Sequence, residues 1–144
     1  MPALGTRKLR LYVDGTEYTA DASNVRITTE ESDTDFVSFA AAAAGGARDY
    51  KLALTIAQDT STTSLWHKLW TEAGDDVTYE VWPNGQETVA PTTPTTTYPK
   101  FSGTLTLIEP DGDFLGGEAN ASNTARFTTE VELPLLAKPT MATA

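Results

Sequence analysis

Alternation of apolar and polar residues dominates this sequence and predicts a protein built mainly from β-strands. In the clearest run, residues 49–57, every second residue is a large apolar one. Period two is typical of a half-buried strand, whose side chains point alternately to the core and to solvent. Similar alternation predicts strands over residues 8–13, 16–20, 24–30, 77–82, 100–108 and 125–133. The dipeptide Asp14-Gly15 favours a type I′ hairpin turn, because both central residues of that turn need positive φ.

One segment has the periodicity of an amphipathic helix instead. Its apolar residues recur at helical spacing: Leu65, Trp66, Leu69, Trp70 and Ala73. The serines and threonines of residues 61–64 offer side-chain oxygens for an N-cap, and Gly74 suits the left-handed conformation that ends many helices. We expect Leu65, Leu69 and at least one of the two tryptophans to pack on the sheet face formed by Leu52, Leu54, Val77 and Tyr79.

Three segments break the alternation and are predicted to be loops. Glu30–Arg48 contains an alanine run that is too short for a stable helix and is followed by Gly45-Gly46, so a long loop is expected there. Gln86–Pro99 is rich in threonine and proline and reads as an extended surface loop. Glu109–Thr124 is rich in glycine and aspartate.

The order of these elements predicts the fold class and the domain organisation. All 144 residues fit one domain. Residues 1–6 form an N-terminal arm in this reading, and residues 135–144 a C-terminal arm. The expected architecture is mainly β: a β-sandwich or partial barrel with one flanking α-helix.

The composition of the chain argues against several kinds of site and ligand. The sequence contains no cysteine, which excludes disulfides and thiolate metal sites. Its formal net charge of −10 argues against direct nucleic-acid binding, since affinity for phosphates comes from clustered lysine and arginine. The acidity serves solubility alone, or it keeps the protein near DNA without binding it; composition leaves both readings open. Neither a signal peptide nor an apolar stretch of about 20 residues is visible, so we expect a soluble protein without membrane contact.

The search for catalytic chemistry predicts no enzyme. His67 is the only histidine, and its position within the predicted helix favours a structural role. Nucleophile elbows, phosphate-binding loops and dinucleotide-binding fingerprints are missing. The carboxylate pairs Glu30/Glu31 and Glu130/Glu132 fall at the edge or on the polar face of predicted strands, where charged residues are expected anyway. No catalytic residue, cofactor or metal ligand is therefore predicted.

A resemblance to a known family emerges from the order of several short motifs. These are the strand Tyr50–Ala57, the helix Leu65–Gly74, the turn Pro83-Asn84-Gly85, a strand starting at Phe101, and Thr128–Leu133 followed by Lys138-Pro139-Thr140. In this order they resemble the major tail tube proteins of siphophages, the long-tailed bacteriophages. The resemblance covers roughly residues 49–140. The threonine- and proline-rich segment is longer than the usual link at that place.

The resemblance implies a fold, a function and partners. Tail tube proteins are β-sandwiches with one helix, whose sheets join those of neighbouring subunits into a ring-wide barrel, usually of six copies. The expected function is that of a structural subunit, assembled in the host cytoplasm into stacked rings of the virion tail. Expected partners are further copies of the chain, a tape measure protein in the lumen, and tail terminator and tail tip proteins. Double-stranded DNA passes through an acidic lumen without specific binding.

Candidate residues follow for two surfaces of such a tube. The polar faces of strands near the ends of the pattern would line the lumen: Thr28, Glu30, Thr128, Glu130 and Glu132. Contacts between subunits or rings would use apolar residues that a domain of this size cannot bury: Phe36, Val37, Phe39, Leu135 and Leu136. In an alternative interpretation these carboxylates lie on the outer wall of the tube, where they only aid solubility.

A second function remains open from the sequence. A virion decoration module or a carbohydrate-binding β-sandwich would share the strand pattern. Three tryptophans, Trp66, Trp70 and Trp82, offer aromatic surfaces on which a sugar could stack. Two of them stand at helical core spacing, which favours packing over ligand binding.

Overall fold

The computed structural model describes residues 7–31, 38–44, 48–86, 89–119, 121–122 and 125–143. Within these ranges the chain forms eight β-strands and two α-helices. In chain order they are β1 (Arg10–Val13), β2 (Thr16–Glu17), β3 (Ala22–Glu31), α1 (Phe39–Ala43), β4 (Arg48–Ala57), α2 (Leu65–Glu72), β5 (Asp76–Trp82), β6 (Lys100–Thr106), β7 (Thr128–Pro134) and β8 (Thr140–Ala142).

The strands form two antiparallel sheets, which confirms the mainly-β prediction. The five-stranded sheet has the order β2-β1-β5-β6-β8, and the three-stranded sheet has the order β3-β4-β7. After Pro134 the chain leaves the three-stranded sheet: Leu135 bridges to Leu105 of β6, and its amide donates to the carbonyl of Tyr50 in β4. This crossing ties the two sheets together.

Local backbone geometry explains the first two strands and the start of the third. Asp14 and Gly15 have φ of 54° and 78°, as the predicted hairpin turn requires. Asn24 also has positive φ, 51°, and the β3–β4 register shifts between Ser23 and Arg26. Asparagine tolerates this region better than most residues, and an extra residue there produces a β-bulge.

The hydrophobic core lies between the sheets and contains most of the apolar residues of the predicted alternations, although Phe127 of the last one is 48% exposed. The five-stranded sheet supplies Leu11, Val13, Tyr79, Val81 and Leu105, and the three-stranded sheet supplies Leu52, Leu54, Ile56, Val131 and Leu133. All of these are less than 5% exposed. Gly103 lies directly under the Tyr79 ring, where a Cβ would be 3.2 Å from Cε1.

Helix α2 closes the core as predicted from its caps and periodicity. The Ser64 hydroxyl accepts from the His67 amide at 3.1 Å, and Asp21 accepts from the Leu65 amide at 3.1 Å. Gly74, with φ of 103°, donates its amide to Leu107 after the helix ends. Leu65, Leu69 and Trp66 are buried in the core cluster, so the packing prediction is confirmed, with Trp66 as the buried tryptophan.

The predicted long loop and C-terminal arm contain regular structure, so both predictions were wrong in part. Within Glu30–Arg48, the first two residues belong to β3 and the last begins β4, while the alanine run forms the short helix α1. Within residues 135–144, Thr140–Ala142 form β8, because the edge of β6 offers backbone groups for pairing. The threonine- and proline-rich segment and residues 109–119 have no strand or helix where they are described, as expected.

Candidate functional site

The five residues predicted to line a lumen all lie on one face of the three-stranded sheet. Residues directly opposite each other in antiparallel strands point to the same side. The cross-strand pairs on the solvent side include Thr28–Lys51, Glu30–Asp49, Ala53–Glu132, Thr55–Glu130 and Ala57–Thr128. The alternate positions, such as Leu52 opposite Leu133, enter the core. We call the solvent-facing surface of β3, β4 and β7 the acidic sheet face.

Lys51 organises the charges at the centre of this face. Its ammonium lies 2.8 Å from a carboxylate oxygen of Glu30 and 3.6 Å from one of Glu132, so it joins the two outer strands across β4. The hydrogen bond to Glu30 raises the pKa of Lys51, with a further contribution from the charge of Glu30 and of Glu132. Both carboxylates remain about 60% exposed, at 59% and 62% of their side-chain surface, and stay available to solvent.

The acidic sheet face contains further charged residues that the sequence reasoning left out. Arg26 pairs with Ala53, and Asp49 pairs with Glu30, so both share the face with Lys51. Among the described residues the face therefore presents four carboxylates (Glu30, Asp49, Glu130 and Glu132) against two cations (Arg26 and Lys51). The alternation of residues 49–57 already put Asp49 and Lys51 on the polar side of β4, but only the strand order shows what lies beside them.

Small side chains form the floor between these charges. Along β4 the outward positions after Lys51 are Ala53, Thr55 and Ala57. Ala53 is only 1% exposed although it faces outward, which indicates that longer side chains from the flanking strands cover it. A groove of about 420 Å³ on this side is lined by Arg26, Lys51, Glu130 and Glu132, together with Ile108, Pro110 and Asp111. Charged side chains and apolar ones, among them Ile108, Pro110 and Pro134, therefore meet in this groove.

Both edges of the three-stranded sheet lack a strand neighbour in the part of the chain that the structure describes. The edges are β3, with ten residues, and β7, with seven. An edge strand presents a row of backbone donors and acceptors that pairs readily with another strand. The acidic sheet face is thus bounded on both sides by groups suited to extend the sheet.

The residues predicted to contact other subunits have different positions. Phe36 and Val37 lie outside the described residues. Phe39, in α1, is 98% exposed, and Leu136 is 60% exposed. Leu135 is only 8% exposed, because its bridge to β6 draws it into the chain's own core, so the expectation that the domain leaves this residue unburied was wrong.

Two of the three tryptophans are buried, and the third, Trp70, is half-exposed at the surface. Trp82 faces outward by register, yet it is covered by the Gly85 turn and by Lys100, whose ammonium lies 5.7 Å from the ring centroid. Trp66 is buried, and its indole N–H donates to the Phe114 carbonyl at 2.8 Å. Trp70 stacks on Trp66 with centroids 5.2 Å apart and is 52% exposed.

The described residues contain neither a cluster of metal-binding side chains nor a membrane-spanning helix, and His67 has a structural place in α2. His67 is part of the capped first turn of α2, and its carbonyl accepts from the Thr71 hydroxyl. The described ranges hold no group of three or more histidine and carboxylate side chains placed to bind a metal ion. None of the helices in these ranges is long and apolar enough to cross a membrane.

Comparison with known proteins gives no assignment. No protein-family model matches the sequence, and no curated protein matches it either.

Proposed function

We propose that this chain is the structural subunit of a self-assembling tube, of the kind formed by the major tail tube proteins of siphophages. In this proposal the acidic sheet face lines a channel through which double-stranded DNA passes without being bound. Its partners are other copies of the same chain in the ring and in the stack, and it has no catalytic role.

One observation carries the proposal. Thr28, Glu30, Thr128, Glu130 and Glu132 come from two separate parts of the sequence, and they share one solvent-facing sheet surface. That surface ends on both sides in an edge strand with no neighbour among the described residues. A surface of this kind continues from copy to copy if β3 of one subunit approaches β7 of the next. The outward residues Ala53, Thr55 and Ala57 of β4 have small side chains, which favours a smooth wall of the channel.

The charge of the acidic sheet face supports a channel for DNA. The double helix carries one negative charge per roughly 1.7 Å of its axis, so a wall rich in lysine and arginine would bind phosphates and hold the genome in place. Carboxylates repel the phosphates at distances near the Debye length, about 8–10 Å at physiological salt. Lys51 and Arg26 do not reverse this, since four carboxylates accompany them.

Charge reversal on the acidic sheet face tests the proposal. Purified protein is concentrated in the presence of a short DNA duplex, examined by negative-stain electron microscopy, and then treated with nuclease. We expect tubes for the unmodified chain and no protected DNA. The variant Glu130→Lys/Glu132→Lys should form tubes that protect DNA, and this protection should fall as salt is raised.

A matched variant controls for net charge. Asp113→Lys/Glu118→Lys makes the same change, from −10 to −6, on exposed residues of the loop after β6 that do not line the groove beside Glu130 and Glu132. It should form tubes that leave DNA unprotected. Equal protection by both variants would remove the acidic sheet face from the lumen, and a permanent monomer at high concentration would contradict the tube itself.

One observation favours a second candidate function, a carbohydrate-binding module. Trp70 presents half of its ring to solvent and is held by Trp66 and by Phe114, at centroid distances of 5.2 and 4.8 Å. A fixed aromatic ring of this kind suits stacking against a sugar. Glycan-array binding that is lost in Trp70→Ala, by a protein that remains monomeric, would favour this candidate over the tube.

A further inference from the structure

Helix α1 is an apolar projection that its own chain leaves uncovered. It has five residues, Phe-Ala-Ala-Ala-Ala, and the Phe39 side chain is 98% exposed. Helices this short are marginal in water unless packing supports them. Its described side chains are all exposed, so within this chain the helix gains little from packing. An exposed phenylalanine on a run of alanines suits insertion into an apolar recess.

A recess of that kind lies where the two sheets separate. Val25 and Ile27 of β3, Phe101 of β6 and Met141 of β8 line a groove of about 620 Å³, together with Leu9 and Pro139. We call it the intersheet groove. Met141 is 64% exposed at its rim, while the Phe101 and Ile27 side chains are half-buried in its wall. Since Phe39 is almost fully exposed, the chain does not fill this groove with its own α1.

The charges beside the projection and beside the groove are complementary. Lys138 lines the intersheet groove, and Arg7 lines a second groove that shares Leu9 and Val25 with it. No carboxylate occurs among the described residues that line either groove. The sequence between β3 and α1 is acidic, since its only charged residues are Asp33 and Asp35. On a chain with 20 acidic and 10 basic residues, this basic surface stands out as a place for an acidic segment.

We propose that the intersheet groove of one copy receives Phe39 and helix α1 of a second copy. The contact joins two different surfaces, so it is heterologous and runs head to tail from copy to copy. A series of such contacts closes into a ring or continues as a filament. This inference rests on the proposed function as a self-assembling subunit, and it names the two surfaces that hold the copies together.

Site-directed crosslinking tests the pairing, because the natural sequence has no cysteine. An Ala40→Cys protein, which keeps Phe39, and a Met141→Cys protein with a size tag are mixed and treated with a short bis-maleimide reagent. Both positions are exposed, so neither substitution threatens the fold. Val89→Cys, at an apolar residue that is 80% exposed in a different loop, replaces Ala40→Cys in the control mixture.

The expected result is a mixed-size dimer at least roughly tenfold more abundant than in the control, because docking raises the effective concentration of the two thiols. Mixed dimers no more abundant than in the control would overturn the pairing. So would a product dominated by Ala40→Cys homodimers, which would indicate a symmetric contact. Tubes without this crosslink would refute the pairing and leave the proposed function standing. A crosslink without tubes would support the pairing and contradict the proposed function.

Discussion

Replacing Trp66 by alanine should destabilise the protein far more than the same change at Trp70, although the two side chains are one helical turn apart. Trp66 is 5% exposed and Trp70 is 52% exposed. A tryptophan buries about 200 Å² when fully enclosed, which at ~25 cal/mol per Å² corresponds to ~5 kcal/mol, and to about half of that for a half-buried ring.

Measured losses for buried tryptophans agree in size, at ~3–5 kcal/mol for Trp→Ala. Trp66 also donates a hydrogen bond to the Phe114 carbonyl, which would lose its partner in the variant. We therefore expect a loss of ~4 kcal/mol for Trp66→Ala and ~2 kcal/mol for Trp70→Ala. At roughly 3 °C per kcal/mol for a chain of this size, the melting temperature should fall by ~12 °C and ~6 °C.

Urea denaturation followed by far-ultraviolet circular dichroism measures both losses without depending on tryptophan fluorescence. Trp66→Phe serves as the intermediate variant, since it keeps an apolar ring and loses the indole donor. Equal losses for the two alanine variants, or a larger loss at Trp70, would show that α2 turns a different side to the sheets.

Two further predictions concern Tyr79 and the turn at Gly85. Burial raises the pKa of Tyr79 to about 12 from 10.0. The neutral Tyr79 side chain therefore makes its full contribution to the free energy of unfolding below about pH 10, and this contribution is lost as pH rises from 10 to 12. The buried Tyr79 hydroxyl has no hydrogen-bond partner among the described residues, so Tyr79→Phe should abolish that alkaline loss and raise the free energy of unfolding by about 1 kcal/mol; an unchanged pH dependence would contradict this. Gly85→Ala should cost ~1–3 kcal/mol in thermal unfolding, because its Cβ would lie 2.7 Å from that of Trp82. Asn84→Ala in the same turn should cost less, and a reversed order would refute the crowding argument.

The strands and the main helix were predictable because each carries its signal locally. The alternation of residues 49–57 follows from burial of one side of β4, and the limits of α2 follow from Ser64 and Gly74. Strand β8 has no such signal: its three residues gain their pairing from the edge of β6, nearly 40 positions earlier in the chain. Helix α1 was missed because five residues are too few for helical periodicity to be visible.

The candidate site was predictable residue by residue but not as a surface. Alternation put Glu130 and Glu132 on the polar side of one strand and Thr28 and Glu30 on that of another. That both strands flank β4, with Lys51 between them, depends on the strand order, which local sequence does not encode. The burial of Leu135 has the same origin, since it results from a bridge to a distant strand.

A three-dimensional reconstruction of the assembled protein by electron cryomicroscopy tests the central claim most directly. The account predicts a hollow tube of stacked rings in which β3 of each subunit adjoins β7 of the next and the Glu130 and Glu132 side chains point toward the axis. Rings with these two carboxylates on the outer wall, or particles that remain monomeric at every concentration, would contradict it.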